Sequence, residues 1–259
     1  MSFLFHDVIF GPVHSRRLGV SLGINLLPLD KKFCTFNCIY CECGWTGEKI
    51  EGFTKGLPSR ELVVTKLEEK LKEMVAQDHA PDAITFAGNG EPTIHPEFPG
   101  IMEDVIGLRD KYFPDARVTV LSNSSTLHKL PIFNALKKAG DSIMKLDVGT
   151  EDMFRLINGP QPGITLKSIV EKLKAFEGEL IIQTLFLRGI VDGREVDNTR
   201  DPEFSHWLKL IKEIGPKYVM VYPIDRATPN QSLEKISFEE LKAIAGRVEE
   251  NGIKVQVFY

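Results

Sequence analysis

Short apolar segments alternate with amphipathic ones along most of the chain, and this alternation constrains the fold more than any other feature. The first amphipathic segment has helical spacing, with Leu62, Leu67 and Leu71 among the apolar positions of one face. The predicted helices lie at residues 58–77, 97–112, 130–139, 165–176, 203–214 and 237–250. The predicted strands are "GVSLGINLL", "DAITFAG", "RVTVLSN", "SIMKLDV", "ELIIQTLFL", "YVMVYP" and "KVQVF".

About six strand–helix units followed by one more strand are the pattern of a parallel sheet. We therefore predict an α/β fold, a partial (β/α)6 TIM-like barrel with a trailing C-terminal strand; a doubly wound open sheet is the alternative. No low-complexity tract or charged linker divides the chain, so we expect one domain over residues 1–259. Within it, residues 1–33 form an N-terminal extension and the first strand, and residues 34–43 form a loop that contains every cysteine.

The composition excludes several classes of protein. The 259-residue chain has a net charge of −4, without the basic excess of proteins that bind nucleic acid through its phosphates. No apolar run approaches the roughly 20 residues of a membrane span, and His6 and Asp7 interrupt the apolar start, so we expect neither membrane insertion nor secretion. We expect a cytoplasmic protein, in whose reducing surroundings clustered cysteines are metal ligands or catalysts sooner than disulfides.

Two predicted strands carry polar residues where a strand buried on both faces would be apolar. In "SIMKLDV", Lys145 and Asp147 alternate with apolar neighbours and so share one face, and Gln183 interrupts "ELIIQTLFL" in the same way. We predict that Lys145, Asp147 and Gln183 face a solvated cavity inside the barrel and meet the substrate as catalytic residues. The alternatives are an internal Lys–Asp pair without function and a strand whose end reaches solvent.

The cysteines lie in "LDKKFCTFNCIYCECGW", where Cys34, Cys38 and Cys41 are spaced C-x3-C-x2-C. A structural zinc site closes with four ligands, commonly two separate C-x2-C pairs, and this chain has no second pair. An iron–sulfur cube held by three thiolates keeps one iron open for a substrate or cofactor, so the spacing indicates a catalytic cluster. Cys43 is a fourth ligand, a redox partner or a small loop residue, and we favour the last two.

A second motif, "FAGNGEPTIHP", follows the next predicted strand. Gly88 and Gly90 permit backbone conformations and a close approach that a Cβ would block, and Asn89 tolerates a left-handed backbone. Glu91 supplies a negative charge for an ammonium group. Because parallel barrels place their chemistry at the carboxyl ends of the strands, we predict a binding site at residues 88–91.

Together these motifs resemble those of the radical S-adenosylmethionine (SAM) superfamily. Cys34-x3-Cys38-x-Tyr40-Cys41 resembles its cysteine signature, and G-N-G-E-P resembles its G-G-E-P stretch, with Asn89 in place of the second glycine. The resemblance implies a single radical SAM domain, a 4Fe-4S cluster on Cys34, Cys38 and Cys41, and SAM at the open iron. It also implies reductive cleavage of SAM to methionine and a deoxyadenosyl radical that abstracts hydrogen from substrate. The residues implied for SAM binding are Tyr40, Gly88, Asn89, Gly90, Glu91, Ser122, Asn123 and Tyr222.

Several of these residues also suit an ordinary structural role. Ser122 and Asn123 end a predicted strand where the superfamily places a ribose contact, and a helix cap or turn accounts for them equally well. Tyr222 ends the sixth strand near the expected adenine position, where an aromatic core residue is the alternative. Tyr40 is expected to contribute through its backbone.

The flanking segments "FGPVHSRRLGVSLGINLLP", "LDVGTEDMFRLINGP" and "VYPIDRATP" resemble one branch of the superfamily. That branch contains the wyosine-forming tRNA enzymes and related uncharacterised iron–sulfur oxidoreductases. The cysteines of the second cluster of the wyosine enzymes are absent from this chain. "GIVDGREVDNT" is expected to be an exposed loop over the same rim. Arg16 and Arg17 are expected to meet an anionic substrate or to form a solvated surface pair.

The expected partners follow from this chemistry and from the acidic charge. We expect an electron donor such as a flavodoxin or ferredoxin, and a small-molecule or peptide substrate sooner than nucleic acid. Two alternatives stay open. One is a tRNA-modifying, wyosine-like enzyme, and the other is a non-catalytic iron–sulfur or zinc protein that uses all four cysteines.

Overall fold

The computed structural model describes residues 3–47 and 56–259. Within them the strands are β1 (Ile9–Ser15), β2 (Gly19–Ile24), β3 (Ala83–Phe86), β4 (Arg117–Ser122), β5 (Asp141–Lys145), β6 (Ile181–Val191), β7 (Arg194–Asp197), β8 (Tyr218–Pro223), β9 (Leu233–Lys235) and β10 (Val255–Val257). The helices are α1 (Arg60–Ala76), α2 (Phe98–Tyr112), α3 (Leu130–Lys138), α4 (Glu151–Met153), α5 (Leu166–Lys174), α6 (Glu203–Ile214) and α7 (Phe238–Glu249). A 3-10 turn, Pro92–Ile94, follows β3, and a π-helical turn, Phe154–Asn158, follows α4.

Six parallel strands form the centre of the sheet. They are adjacent in the order β2, β3, β4, β5, β6 and β8, and β10 adds a parallel strand beside β8. Each crossover between them contains a helix, because parallel neighbours need a long connection. The predicted α/β fold, a partial barrel of six strand–helix units with a trailing strand, is confirmed.

Three further strands lie outside the predicted alternation. β1 pairs antiparallel with β2, whereas β7 and β9 pair antiparallel with the second half of the long strand β6. The expectation of an exposed loop at "GIVDGREVDNT" is therefore wrong. This segment forms a β-hairpin that turns at Asp192 and Gly193, which have φ angles of 49° and 76°. An Asp-Gly pair readily adopts the positive φ angles that a tight hairpin turn needs.

The two faces of the parallel sheet differ in character. One face packs against the helices in the main core through residues such as Ile84, Val118, Met144 and Val219. The inner face carries a separate apolar cluster of Leu18, Ala83, Ile143, Ile181 and Met220. The next inward positions along the strands include Lys145, Gln183 and Tyr222. The barrel interior thus has an apolar cluster and larger polar side chains toward the carboxyl ends of the strands, and it also holds the buried hydroxyls of Ser21, Thr85 and Thr119.

The first helix shows how the sequence determines the outer layer. Ser59 caps α1 by accepting a hydrogen bond from Leu62 N at 3.2 Å. The buried face consists of Val63, Leu67, Leu71 and Met74. Leu62, predicted for this face, is exposed instead. Among the described residues, no helix is long and apolar enough to cross a membrane.

Candidate functional site

The cysteine loop lies across the carboxyl ends of the parallel strands. Phe33 forms a parallel bridge with Gly90, which follows β3, and Phe36 forms an antiparallel bridge with Pro160, which follows the π-helical turn. Asn37 N donates to the carbonyl of residue 159 at 2.9 Å. Backbone contacts on two sides therefore fix the loop at the rim where the sequence predicted the chemistry.

Two of the thiols receive hydrogen bonds from side-chain amides. Asn123 Nδ2, just after β4, lies 3.4 Å from Cys34 Sγ, and Asn158 Nδ2, in the π-helical turn, lies 3.6 Å from Cys38 Sγ. Such bonds stabilise the thiolate, which is the form that binds metal. Burial acts in the opposite direction, raising the pKa of Cys34 to about 12 and also raising the pKa of Cys38. Asn123 was predicted from the sequence as a site residue, and Asn158 was not.

Lys32 is buried beside the cysteines, with only 4% of its surface exposed, and it was not predicted from the sequence. Its ammonium group donates to the carbonyl of Gly44 at 2.9 Å and to the sulfur of Cys41. Burial lowers the pKa of Lys32, but the thiolates of Cys41, Cys34 and Cys38 outweigh burial and raise that pKa above its usual value. The signal that could have found this residue is its place two positions before the first cysteine, because a cation there is forced close to the cluster ligands.

Cys43 differs from the other three cysteines because its thiol is a hydrogen-bond donor. Its single hydrogen is shared between the carbonyl of Gly88, 3.7 Å away, and the sulfur of Cys41. The bond from Cys43 and then the charge of Lys32 lower the pKa of Cys41 to about 5, against the effect of burial. The same bond raises the pKa of Cys43. Cys43 thus supports the thiolate of Cys41.

The G-N-G-E turn packs directly against the cysteine loop. Gly90 has a φ of 145°, and a Cβ at this position would overlap the carbonyl of Phe33. Gly88 has a φ of 130°, and its Cβ would overlap the side chain of Asn25. Glycine is required at both positions for β2, β3 and the cysteine loop to approach each other this closely.

The side chain of Asn89 holds the N-terminal segment in place. Its Nδ2 donates to the carbonyls of Phe5 and Pro28 at 2.8 Å each, and its Oδ1 accepts from Phe5 N at 2.8 Å. Both amide hydrogens are therefore used within the protein, and the residue is fully buried. Any contact that Asn89 makes with SAM must therefore use its backbone.

Glu91 is a buried carboxylate that organises the rim. Its Oε1 accepts from Thr93 Oγ1 at 2.5 Å and from Ser122 Oγ at 2.9 Å, and its Oε2 accepts from Asn123 N at 2.6 Å. Burial raises the pKa of Glu91 against the effect of these bonds. These hydrogen bonds bring the three predicted residues Glu91, Ser122 and Asn123 together. A contact between Glu91 and the ammonium group of SAM stays a prediction.

Asp147 is a second buried carboxylate, and it joins the cysteine loop to the barrel. It accepts from the hydroxyl of Tyr40, from Asn158 Nδ2 at 2.7 Å and from Leu185 N at 3.0 Å, and Lys145 Nζ lies 3.4 Å away. The expectation of a solvated cavity is wrong for Asp147, because only 1% of its surface is exposed, and it is also wrong for Gln183, of which 5% is exposed. The physical reason is that β5 ends at Lys145, so the strand alternation no longer governs position 147. A catalytic role for Asp147 stays a prediction.

Lys145, Gln183 and Tyr222 lie together on the inner face of the barrel. Lys145 and Gln183 are neighbours across β5 and β6, and Tyr222 Oη lies 3.3 Å from Gln183 Oε1. Lys145 Nζ donates to the hydroxyl of Tyr40 at 2.6 Å. Arg17, from the turn between β1 and β2, joins this group by donating to Gln183 Oε1 at 2.8 Å. The sequence alone did not distinguish Arg17 from its neighbour Arg16.

The hairpin of β6 and β7 lines a cavity of about 660 Å³ beside the cysteine loop. The tip of the hairpin, residues 190–193, lines one side of the cavity. The other side is lined by Asn37, Ile39 and Trp45. The hairpin is therefore close to the predicted site. Its role in covering a substrate stays a prediction.

The donor set fits a 4Fe-4S cluster with one open iron. The sulfurs of Cys34, Cys38 and Cys41 each accept a hydrogen bond, whereas Cys43 donates. Among the residues that the structure describes, no three His, Cys, Asp or Glu side chains converge closely enough to hold a single metal ion. A cube of four irons spreads its thiolate ligands more widely than a single ion does. Cys34, Cys38 and Cys41 could therefore hold such a cluster.

Comparison with known sequences identifies relatives. A sequence profile of the family described as "Radical SAM superfamily" matches residues 31–192, more than half of the chain. "GTPase Obg" of Brachyspira hyodysenteriae is 32% identical over 238 residues, which cover 90% of this chain and 32% of that protein. A UPF0026 protein of Methanocaldococcus jannaschii is 33% identical over 214 residues, covering 81% of this chain and 61% of that protein. A UPF0026 protein of Synechocystis is 31% identical over 211 residues, which cover 79% of this chain and 71% of that protein.

Coverage limits what the first two similarities mean. The chain spans about a third of the Brachyspira protein and about three-fifths of the Methanocaldococcus protein. This chain also lacks the phosphate-binding loop G-x-x-x-x-G-K-[S/T] of GTPases. The similarity to a protein named as a GTPase is therefore no evidence of GTPase activity in this chain.

Solved structures share the fold. A radical SAM methyltransferase from Sphaerobacter thermophilus has a TM-score of 0.68 at 13% identity, over 92% of this chain and 66% of that one. Archaeal TYW1 has a TM-score of 0.56 at 15% identity, over 89% of this chain and 72% of that one. Identities this low show the fold alone. Because the family profile covers more than half of the chain and the Synechocystis relative is matched over most of its length, this chain belongs to the radical SAM superfamily and to its UPF0026 relatives.

Proposed function

We propose that Cys34, Cys38 and Cys41 hold the 4Fe-4S cluster that enzymes of this superfamily use, and that the iron without a protein ligand binds SAM. When bound, the cluster supplies the electron that cleaves SAM to methionine and a deoxyadenosyl radical, which takes hydrogen from a substrate in the barrel.

One observation carries this assignment. The sulfurs of Cys34, Cys38 and Cys41 accept hydrogen bonds from Asn123, Asn158 and Lys32, which come from three separate parts of the chain. Cys43 has the opposite polarity, since its thiol donates to the carbonyl of Gly88. Three sulfurs that accept hydrogen bonds and one thiol that donates match a cluster with three protein ligands.

The residues around the loop have roles that follow from their contacts. Glu91 fixes Ser122 and Asn123 at the end of β4, where we place the methionine and ribose ends of SAM. Asp147 fixes Tyr40, the residue before the third cluster ligand. Two buried carboxylates therefore hold the cofactor rim rigid, as a site that must position a reactive radical requires.

The barrel above the apolar inner cluster is the place for the substrate. Lys145, Gln183 and Tyr222 point into it, next to the cysteine loop. We propose that the substrate is a small molecule or a peptide rather than a nucleic acid. The electron comes from a reduced protein such as a flavodoxin or ferredoxin.

The decisive experiment is SAM cleavage by the full chain. The protein is reconstituted with iron and sulfide without oxygen and incubated with SAM and dithionite, and deoxyadenosine and methionine are quantified by mass spectrometry. We expect both products in equal amounts. A protein that binds iron through all four cysteines as an electron carrier would release neither product, and that result would refute the proposal.

A further inference from the structure

Two adjacent arginines in the turn between β1 and β2 point to different environments. Arg16 reaches outward and pairs with Asp225 at 2.9 Å, with 44% of its side chain exposed. Arg17 crosses to the opposite part of the sheet, where its Nη1 donates to Gln183 Oε1 at 2.8 Å. Its guanidinium group also lies over the ring of Tyr222, 4.7 Å from the ring centre. Hydrogen bonding and cation–π contact together fix the orientation of Arg17.

Arg17 also differs from every other arginine in its charge environment. The chain has eleven arginines, and ten of them have a carboxylate within 4.0 Å in the part of the chain that the structure describes. Arg17 is the exception within that part. Its partners Gln183 and Tyr222 are neutral, so its positive charge is held in place without being compensated.

Lys145 is a second cation in the same place. It is the cross-strand neighbour of Gln183, and 15% of its side chain is exposed. Its ion-pair partner Asp147 lies 3.4 Å away and also accepts from Tyr40, Asn158 and Leu185 N. The group therefore contains two cations and one carboxylate whose lone pairs are shared among four donors.

We propose that Arg17 and Lys145 form a cationic subsite inside the barrel that binds an oxyanion of the substrate, a carboxylate or a phosphate. The assignment rests on the proposed function for the barrel as the substrate site. A planar guanidinium group pre-oriented by two neutral partners matches the two oxygens of such a group. The partial burial of Arg17 strengthens the attraction relative to a surface arginine. The substrate class is thus a small acid, an acidic peptide or a phosphorylated molecule.

Binding of inorganic phosphate and of acetate to the reconstituted full chain tests the subsite. Calorimetric titrations at constant ionic strength compare the wild type with Arg17→Gln and with Arg16→Gln, which removes the same charge one residue away. We expect saturable binding of at least one anion, weakened at least tenfold by Arg17→Gln and less than twofold by Arg16→Gln. The anion that binds more tightly tells carboxylate from phosphate. Equal affinities in the two variants, or no binding to the wild type, would overturn the proposal.

Two further measurements keep the result interpretable. Arg17→Lys retains the positive charge but loses the planar set of N–H donors, and we expect its anion affinity to lie between those of the wild type and Arg17→Gln. If Arg17→Gln is unstable, Arg17→Lys replaces it in the comparison with Arg16→Gln. Repeating the titration with SAM bound must leave anion affinity within twofold, because displacement by SAM would assign the subsite to the carboxylate of SAM and overturn the proposal. SAM cleavage is assayed separately, so anion binding without cleavage contradicts the proposed function alone.

Discussion

The buried ammonium group of Lys32 donates a hydrogen bond to the sulfur of Cys41. A cation so close to a cluster ligand stabilises whichever cluster state carries more negative charge, and that is the reduced state.

Replacing Lys32 by Met removes this charge and keeps the length of the side chain. We expect the midpoint potential of the cluster to fall by at least about 59 mV, a tenfold change for a one-electron couple. Potentiometric titration followed by electron paramagnetic resonance measures the shift. Lys31→Met makes the same change of charge at the adjacent, more exposed position, and should shift the potential by less than half as much. Equal shifts would mean that net charge alone matters.

The cysteine assignments predict a sharp division among four variants. Cys34→Ser, Cys38→Ser and Cys41→Ser should each lose most iron and all SAM cleavage. Cys43→Ser should retain both, because a serine hydroxyl can still donate to the carbonyl of Gly88. Iron analysis, the absorption spectrum and deoxyadenosine formation are the measurements. Iron loss from Cys43→Ser equal to that of the other variants would refute an open iron.

Glu91→Gln should destabilise the protein. The amide nitrogen that replaces one carboxylate oxygen would face a donor, either Ser122 Oγ and Thr93 or the backbone N–H of Asn123. We expect a loss of about 1–3 kcal/mol, the cost of leaving a buried donor unpaired. Urea unfolding measures it, and Glu97→Gln on the exposed surface is the control. Unchanged stability together with weaker SAM binding would show instead that the carboxylate contacts the cofactor directly.

The four cysteines of the cluster-free protein should react at different pH values. Because the pKa of Cys41 is about 5 and that of Cys34 about 12, Cys41 is a thiolate at neutral pH and Cys34 is not. Iodoacetamide should therefore label Cys41 first, with labelling that rises from about pH 4 to about pH 6. Peptide mass spectrometry measures each site. Cys43→Ala, which removes the donor, should move this rise to higher pH, since the hydrogen bond from the Cys43 thiol is the largest cause of the low pKa of Cys41. Equal labelling of Cys34 and Cys41 at neutral pH would contradict the prediction.

Bulk tRNA should bind weakly, with little dependence on salt. Residues 1–60 hold seven Lys and Arg against five Asp and Glu, and two arginines near the rim are already paired. Arg16 pairs with Asp225, and Arg226 pairs with Glu42 at 2.8 Å. Titrations at about 50 and about 200 mM salt test this prediction, because many phosphate contacts would produce a steep loss of affinity between the two. We expect no such loss. A large loss would favour a tRNA-modifying activity.

The strand order was predictable because apolar periodicity and helix starts are local properties of the chain. The extra pairing of β7 and β9 with β6 was not, because it depends on the second half of β6 extending beyond its parallel neighbours. No spacing in the sequence reports how far a strand continues past the sheet.

The cysteines and the glycine turn were found because their spacing is itself the signal. The partners of the sulfurs were harder to find. Asn158 reaches Cys38 only because a π-helical turn follows α4, and Asp147 is buried only because β5 ends at Lys145. Lys32 was beside the motif, yet charge next to a cysteine is usually solvated, and only packing shows that this one is buried.

The partners of the cysteine loop come late in the chain, and this sets an order for assembly. Asn123 lies 89 residues after Cys34, and Asn158 lies 120 residues after Cys38. At a synthesis rate of roughly 5–20 residues per second, on the order of 10 s separates the translation of the first cysteines from that of their last amide partner. A chain cut before Asn158 would keep every cysteine and lack the site. During that interval the nascent chain carries free thiols with no structure around them, so their protection from oxidation falls to the cell and not to the fold.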